Sequence, residues 1–304
     1  MNSSLVRHHK AQDQLKTIGL VALLTLTVGW VGYTVFGPFG LFIAATLLAL
    51  GAGGANISPE LPIRLQGGRR LSFYAAPELH ELVTQLSRRA HVRVPTVMLI
   101  PSDVPNAMAT GSAEGPSAIG ITRGALRMLT QRELTGVLAH EIAHLVNGDT
   151  RLLRWTGTAT QSLVLGLRFT LWASVLVALF SGNGLALAFQ LMVLALVVPA
   201  ALTLMTAALS RTREFAADRT AAEITADPQG LASALHRLQQ FERGWLRSAL
   251  PQLPGALRSH PPTEERVARL LAMTDPNRVR HSRHSVQSVS PRPANRRLVR
   301  VALF

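Results

Sequence analysis

Two histidines and a glutamate stand at a spacing that could hold and use a metal ion, in the segment His140-Glu141-Ile142-Ala143-His144. Residues four apart lie on one face of a helix, so both imidazoles can bind one zinc ion. Glu141 is about 100° around the helix from His140, which lets its carboxylate take a proton from water as a general base without being a ligand. The alternative is a satisfied pair of core or surface histidines, and chance alone gives the pattern in roughly one such chain in a hundred.

A third protein ligand is expected, because catalytic zinc sites commonly have three. The chain contains no cysteine, so the donors must be histidine or carboxylate, and disulfides and cysteine nucleophiles are excluded. Glu214 and Asp218 are four residues apart in the segment 213–218 and share a helical face. Glu214 could be the third ligand, and Asp218 could accept a hydrogen bond from the outer nitrogen of a ligating histidine. From spacing alone, an ordinary carboxylate pair on a helix surface fits equally well.

The helix that carries the two histidines has signals at both of its ends. Thr130 and Glu133 form the Ser/Thr-x-x-Glu pattern of a capping box, which predicts that the helix begins at Thr130. Gly148 stands where the glycine that follows a helix is expected. Asp149 comes next, and the sequence leaves its role open.

The polar stretch 58–156 has the patterning of a globular domain. Apolar residues at helical spacing predict an amphipathic helix over 78–89. Short strands are predicted at 96–100 and 117–122. Further along, Asp227-Pro228 predicts the cap and first residue of another helix.

Four apolar runs are each long enough to cross a bilayer, because about 20 helical residues span the hydrocarbon core of about 30 Å. They cover residues 18–36, 41–57, 157–180 and 185–209. A cleaved signal peptide is the alternative for the first run, but the second run follows so closely that a hairpin is the simpler interpretation. Arg168 is the only charged residue of the third run, and a packing or snorkelling role is favoured for it.

The distribution of charge predicts how these runs are oriented. The chain is 48% hydrophobic with a mean hydropathy of +0.23, yet it carries 31 Lys and Arg against 17 Asp and Glu. The links 37–40 and 181–184 lack Lys and Arg, whereas the other flanks of the runs are basic. Positive residues favour the cytoplasmic side, so both termini and both polar segments are predicted to face the cytoplasm. There the two polar segments can meet as one domain.

The predicted organisation therefore has six segments. In chain order these are a cytoplasmic N-terminus (1–17), a transmembrane hairpin (18–57), a first catalytic segment with the histidine helix (58–156), a second transmembrane hairpin (157–209), a second catalytic segment with the third ligand (210–275) and a basic tail (276–304).

The tail holds seven arginines and no acidic residue, a composition typical of disorder. It could be a merely solvated tail, or it could contact anionic lipid headgroups. Nucleic acid is disfavoured as a partner, because the tail offers almost no aromatic residues for stacking on bases.

These residues and their order resemble the HtpX family of membrane-bound zinc peptidases, relatives of the CAAX prenyl proteases. The resemblance covers residues 15–274, and two apolar runs separate the second motif from the third. The four motifs are Asn106-Ala-Met-Ala-Thr-Gly111, Leu138-Ala-His-Glu-Ile-Ala-His-Leu-Val-Asn-Gly-Asp-Thr150, Arg213-Glu-Phe-Ala-Ala-Asp218 and Ser259-His-Pro-Pro-Thr-Glu-Glu-Arg266. The fold implied is an α-helical membrane protein with four transmembrane helices and a mainly α (α+β) zincin-like catalytic domain with a small sheet.

The resemblance also implies a role for each motif. One Zn²⁺ per chain would be held by His140, His144 and Glu214, with Glu141 as the catalytic base and Asp218 behind the ligands. Substrate would add as a strand to the edge strand that contains Asn106, Ala107, Met108 and Ala109. His260 and Arg266 resemble the pair that stabilises the oxyanion in related prenyl proteases.

The function predicted from these roles is that of a zinc metalloendopeptidase of the inner membrane with a cytoplasmic catalytic domain. Its partners would be the lipid bilayer and unfolded or membrane-protein polypeptides, and the resemblance implies quality control under stress. Two alternatives stay open. One is a dedicated processing protease of the prenyl-protease type, and the other is a non-catalytic membrane scaffold that binds a metal.

Overall fold

A computed structural model of the chain describes residues 3–38, 42, 45–46, 58–181, 185–249 and 263–274. The helices of these residues are α1 (Ser3–Phe36), α2 (Leu61–Arg64), α3 (Pro77–Arg89), α4 (Arg123–Met128), α5 (Gln131–Val146), α6 (Asp149–Ser181), α7 (Leu185–Thr225), α8 (Pro228–Ala249) and α9 (Thr263–Ala272). The strands are β1 (Arg69–Arg70), β2 (Thr96–Ile100), β3 (Ala107–Gly111) and β4 (Ser117–Thr122).

The four strands form one mixed sheet in the order β1-β2-β4-β3. β2 and β4 are parallel, whereas β1 pairs antiparallel with β2 and β3 pairs antiparallel with β4. All six residues of β4 are buried, because alternate side chains point to opposite faces and both faces of this strand are covered. β3 lies at the end of the order, so one of its edges has no neighbouring strand among the described residues.

The main apolar core joins this sheet to the helix that carries His140 and His144. Its members come from α3, α4, α5, α7, α8, α9 and the sheet, and they include Leu79, Val83, Ile119, Ile121, Leu134, Leu138, Ile142, Ala217, Leu231 and Leu270. α5 lies at the centre of the core and crosses α8 at Gly136. A Cβ at Gly136 would stand 2.7 Å from the backbone nitrogen of Leu231, so the close crossing requires glycine.

Three long helices, α1, α6 and α7, form a second apolar cluster of their own. Its buried members are Leu24, Val28, Val31, Leu163, Leu167, Val198 and Leu202. The outer surface of these helices is apolar as well: Trp30 is 60% exposed, Trp172 is 71% exposed and Leu196 is 76% exposed. A bundle that is apolar both inside and outside is typical of helices surrounded by lipid.

Within the described residues one helical segment, Ala195–Thr225, is long and apolar enough to cross a membrane, and Leu15–Val31 is a shorter apolar segment. The structure is thus mostly helical with a small mixed sheet, as predicted. The described residues do not show the four predicted transmembrane helices. The second predicted run, 41–57, and the basic tail 276–304 lie outside the described residues except for isolated positions in the former.

The predicted local elements are recovered closely. The strands at 96–100 and 117–122 are β2 and β4, and the amphipathic helix at 78–89 is α3. Residue 209, the predicted end of the second transmembrane hairpin, lies inside α7, which continues as one helix to Thr225. The segment after residue 209 is rich in good helix formers and has no Gly or Pro before the positive φ of 53° at Ala226, so nothing ends the helix earlier.

Candidate active site

The predicted capping box holds the helix α5 that carries the two histidines. The Thr130 hydroxyl accepts a hydrogen bond from the Glu133 N–H at 3.3 Å, and a Glu133 carboxylate oxygen accepts one from the Thr130 N–H at 2.9 Å. At the other end, Gly148 has the positive φ of 69° that the residue after a helix adopts. The predictions made for both ends of this helix are confirmed.

Donor atoms of His140, His144 and Glu214 converge on one point. One donor atom of each lies within 4.8 Å of the others, so the three could hold a metal ion. The two Nε2 atoms are 3.1 Å apart, and Glu214 Oε2 is 3.3 Å from His140 Nε2. The histidines come from α5 and the glutamate from α7, so packing of these two helices assembles the cluster.

A buried carboxylate and an arginine lie behind the ring of His140. Asp218 Oδ1 is 3.0 Å from His140 Nδ1. The Arg266 guanidinium donates two hydrogen bonds to Asp218, at 2.8 and 2.7 Å, and its Nη1 is 3.1 Å from Glu214 Oε2. Arg266, predicted only from the resemblance, is therefore 6% exposed and packed among the donor atoms.

His144 has a matching pair of residues behind it, which sequence reasoning missed. Asp149 Oδ2 is 2.8 Å from His144 Nδ1, and the guanidinium of Arg213 forms an ion pair with the other oxygen of Asp149. The sequence marks Asp149 only as a neighbour of the histidine motif. No periodicity could have found this contact, because it forms across the turn at Gly148 and between α6 and α7.

The candidate base Glu141 is turned toward the edge strand β3. The backbone N–H of Ala109 donates a hydrogen bond to Glu141 Oε2 at 2.8 Å. Burial raises the pKa of Glu141, and the neighbouring Glu214 adds to that rise, while His144, His140 and the Ala109 N–H oppose it. A raised carboxylate pKa suits a group that must accept a proton and release it again.

The acidic residues of the cluster stabilise positive charge at His140. Burial lowers the pKa of His140, but the contacts with Asp218 and Glu214 outweigh it and raise the pKa to about 10. His140 Nε2 is the ring nitrogen that faces the cluster, 3.1 Å from His144 Nε2, 3.3 Å from Glu214 Oε2 and 3.3 Å from Arg266 Nη2. Two histidine nitrogens and a carboxylate facing one point are the donor set that zinc prefers, so the residues fit this metal.

The remaining predicted residues are the four of the substrate-binding segment, which the structure describes, and one that it does not. Ala107, Met108 and Ala109 lie on β3, next to α5, and Asn106 directly precedes this strand. His260 lies outside the described residues, so its pairing with Arg266 stays a prediction. The side chains of the other predicted catalytic and metal-binding residues, which come from both polar segments of the chain, lie together: His140, Glu141, His144, Glu214, Asp218 and Arg266.

Residues 74–274 match the family model described as Peptidase family M48. The chain belongs to peptidase family M48. The prediction of a membrane metallopeptidase related to the HtpX proteases is thereby confirmed, and its substrates are polypeptides.

Curated relatives match this M48 chain over most of its length. A "Protease HtpX homolog" of Salinibacter ruber is 34% identical over 281 residues, covering 86% of the chain and 98% of the relative. One from Pyrococcus abyssi is 32% identical over 272 residues, covering 84% of the chain and 94% of the relative. The crystal structure of S. mikatae Ste24p shares the fold with a TM-score of 0.54 at 21% identity, and the match covers 86% of this chain and 66% of that one.

Proposed function

We propose that this M48 peptidase is a zinc-dependent endopeptidase integrated in the inner membrane, which cuts unfolded or membrane-associated polypeptides on the cytoplasmic side. His140, His144 and Glu214 hold one zinc ion, and Glu141 is the general base. The observation that carries the proposal is the convergence of donor atoms of these three side chains within 4.8 Å, beside the partly buried carboxylate of Glu141.

The metal and the protein have separate tasks in this proposal. Zinc, when bound, supplies a Lewis acid that polarises the scissile carbonyl and lowers the pKa of water. Glu141 takes the proton of the attacking water and delivers it to the leaving amine. The Ala109 N–H keeps the Glu141 carboxylate on the substrate side of the helix, at 2.8 Å. Asp218 and Arg266 hold the His140 ring, and Arg266 brings positive charge to the place where an oxyanion would form.

The edge strand β3 supports binding of an extended substrate. The hydrogen bonds of an antiparallel pair alternate, so every second residue turns its N–H and C=O away from the partner strand. The Ala109 N–H bonds to Glu141 and the Gly111 C=O accepts from Thr150, so 107, 109 and 111 are the residues that face outward. Ala107 can therefore pair with a substrate strand beside Glu141.

Replacing Ala107 with proline tests this pairing. Proline removes the outward N–H, and edge positions tolerate that loss. We expect KM for an unfolded substrate such as casein to rise about 2- to 10-fold, the value of one net hydrogen bond, with kcat and zinc content little changed. Met108→Pro is the contrast, because its N–H faces β4 and its loss should lower the melting temperature instead. An unchanged KM in Ala107→Pro would refute strand addition at this edge.

Recognition through backbone groups supports the proposed substrate class. Hydrogen bonds to a strand read the extended backbone rather than particular side chains, and folded proteins do not offer a free backbone. Glu214 lies in α7, toward the C-terminal end of Ala195–Thr225, the described segment that is long and apolar enough to cross a membrane, and this favours a site next to the bilayer. Unfolded segments near the membrane are the polypeptides that such a site meets, which is the basis for the proposed quality-control role.

The proposed topology has four transmembrane helices, with both termini and the site in the cytoplasm. It rests on the apolar runs, on the absence of Lys and Arg in the links 37–40 and 181–184, and on the apolar outer surface of α1, α6 and α7. Lipid contact by the basic tail 276–304 belongs to the same proposal.

Single cysteines can map this topology directly, because the natural chain has none. Ser3→Cys, Glu114→Cys and Asn183→Cys would each be treated in intact cells with a membrane-impermeant maleimide. We expect labelling of Asn183→Cys in intact cells, and labelling of the other two only after the membrane is opened. Labelling of Glu114→Cys from outside would place the catalytic domain on the opposite side.

A further inference from the structure

We propose that Asp149 and Arg213 are positioning residues for the metal site, which fix the ring and the proton of His144. The inference rests on the proposed function, since it concerns the same zinc ligands. It adds a second support to the site, because Asp149 contacts His144 as Asp218 contacts His140.

The burial of Asp149 is the first observation behind this role. Its side chain is wholly buried, with 0% exposure. A buried carboxylate is costly unless each oxygen has a partner. One oxygen faces His144 Nδ1 at 2.8 Å and the other receives the guanidinium of Arg213. The carboxylate is thus held between a cation and an imidazole.

The arrangement decides which nitrogen of His144 carries the proton. A carboxylate paired with arginine only accepts hydrogen bonds, so the proton of the neutral ring lies on Nδ1. Nε2 then presents its lone pair, and this atom lies 3.1 Å from the Nε2 of His140 and 3.9 Å from Glu214 Oε1. Asp149 therefore prepares His144 as a ligand and fixes its orientation.

Arg213 connects the three helices that meet at the site. Its Nη2 also donates to the backbone carbonyl of Asn147 at 2.8 Å, just after α5 ends. Asp149 is the first residue of α6, and Arg213 directly precedes Glu214 on α7. One side chain thus joins the end of the histidine helix to the helix that supplies the carboxylate donor, and it sets the distance between the two kinds of ligand.

Asp149 and Arg213 repeat the arrangement behind His140, with one useful difference. Arg266 touches donor atoms as well as Asp218, so changing it alters the reacting centre directly. Arg213 instead contacts Asp149 and the Asn147 carbonyl. Arg213→Gln is therefore the variant that separates positioning from chemistry.

The test measures zinc affinity of the detergent-purified full chain by competition with a chelator. We expect Asp149→Ala to weaken zinc binding about 10- to 100-fold, as outer partners of zinc ligands do in general. Asp149→Asn should weaken it less, because the amide oxygen still accepts from Nδ1. Arg213→Gln should fall between wild type and Asp149→Ala, and the double variant Asp149→Ala/Arg213→Gln should lose less affinity than the two single variants combined, because the two residues act in part through one ring.

Cobalt provides a readout that a merely structural role would not move. In the Co²⁺-loaded wild type, the Nδ1 protons of both ligating histidines should give NMR signals that are shifted by the paramagnetic metal and that exchange slowly with water. In Asp149→Ala the signal of the His144 Nδ1 proton should disappear. If Asp149→Ala does not fold, Arg213→Gln carries the same test, with faster exchange of that one signal.

Asp227→Asn is the matched control. Asp227 pairs with Arg132 at 2.6 Å and ties α5 to the start of α8, far from the imidazoles. This variant should lower the melting temperature and leave zinc affinity unchanged. Wild-type zinc affinity in both Asp149→Ala and Arg213→Gln, with cleavage still dependent on Glu141, would overturn the inference alone. A wild type that binds no zinc would overturn the proposed function together with it.

Discussion

Replacing Glu141 with glutamine is expected to abolish peptide hydrolysis while leaving the metal in place. Glutamine has nearly the same size, and its amide oxygen can still accept the hydrogen bond of the Ala109 N–H, which is 2.8 Å from the carboxylate. It cannot take a proton from water. Loss of a general base typically lowers the rate about 10²- to 10⁴-fold, which would bring casein cleavage near the background.

The measurement pairs casein cleavage with zinc content per chain in detergent-purified protein. Glu114→Gln is the matched control, because it makes the same chemical change at an exposed residue in the turn between β3 and β4. We expect full zinc in all three proteins and normal cleavage in the control. Cleavage by Glu141→Gln at the wild-type rate would mean that another group removes the proton, and the proposed mechanism would be wrong.

Glu214→Ala is expected to lose both zinc and activity. The carboxylate is one of three donors, and its removal leaves two histidines that hold zinc poorly. Zinc affinity should fall by more than the about 10- to 100-fold that is typical when a residue hydrogen-bonded to a zinc ligand is removed. About one zinc per wild-type chain is expected, in line with three donors at one point.

The matched control for Glu214→Ala lies on the same helix. Glu223 is an exposed residue of α7, and Glu223→Ala should keep both zinc and cleavage. Full zinc and full activity in Glu214→Ala would exclude Glu214 as the third ligand, and the site would have to be rebuilt around another carboxylate. Asp218 would be the first to test, since it is 3.0 Å from the ring of His140.

Together the two variants distinguish the general base from a metal ligand, and assays of the wild type distinguish the functional alternatives. In a metallopeptidase, Glu141→Gln should bind zinc without cleaving substrate, and Glu214→Ala should neither bind zinc nor cleave. Cleavage of unfolded substrates at a single defined bond would favour a dedicated processing protease. A zinc-loaded wild type that is inert on every unfolded substrate would favour a scaffold that binds metal.

Local patterns in the sequence are enough to place much of the catalytic domain. The capping box at Thr130, the glycine after α5 and the strands β2 and β4 depend on neighbouring residues only, so the sequence predicts them directly. The same holds for His140 and His144, whose spacing of four is itself a statement about one helical face. Glu214 and Asp218 can be proposed for the same reason, but spacing alone leaves them an equal chance of being surface residues.

The course of α7 near the membrane is a feature that hydropathy alone does not describe. Hydropathy marks where the residues turn from apolar to polar, and it places the end of the second predicted transmembrane hairpin at residue 209. The helix continues past that point to Thr225, because good helix formers follow and no Gly or Pro intervenes. One continuous helix therefore carries both the apolar run and the carboxylate donor Glu214.

Residues within one or two helical turns are enough to predict the helix of the two histidines and to propose Glu214 and Asp218, whereas the enzyme class follows from the order of four motifs along the chain. The partners that hold these side chains in place appear only once the helices and strands are packed together. Arg213 meets Asp149 across 64 residues and Arg266 meets Asp218 across 48, and the Ala109 N–H reaches Glu141 from a strand 32 residues earlier. Such contacts depend on how helices and strands pack. A buried charged group is stable only when it has a partner, and that partner is distant in the sequence, so local patterns do not predict it.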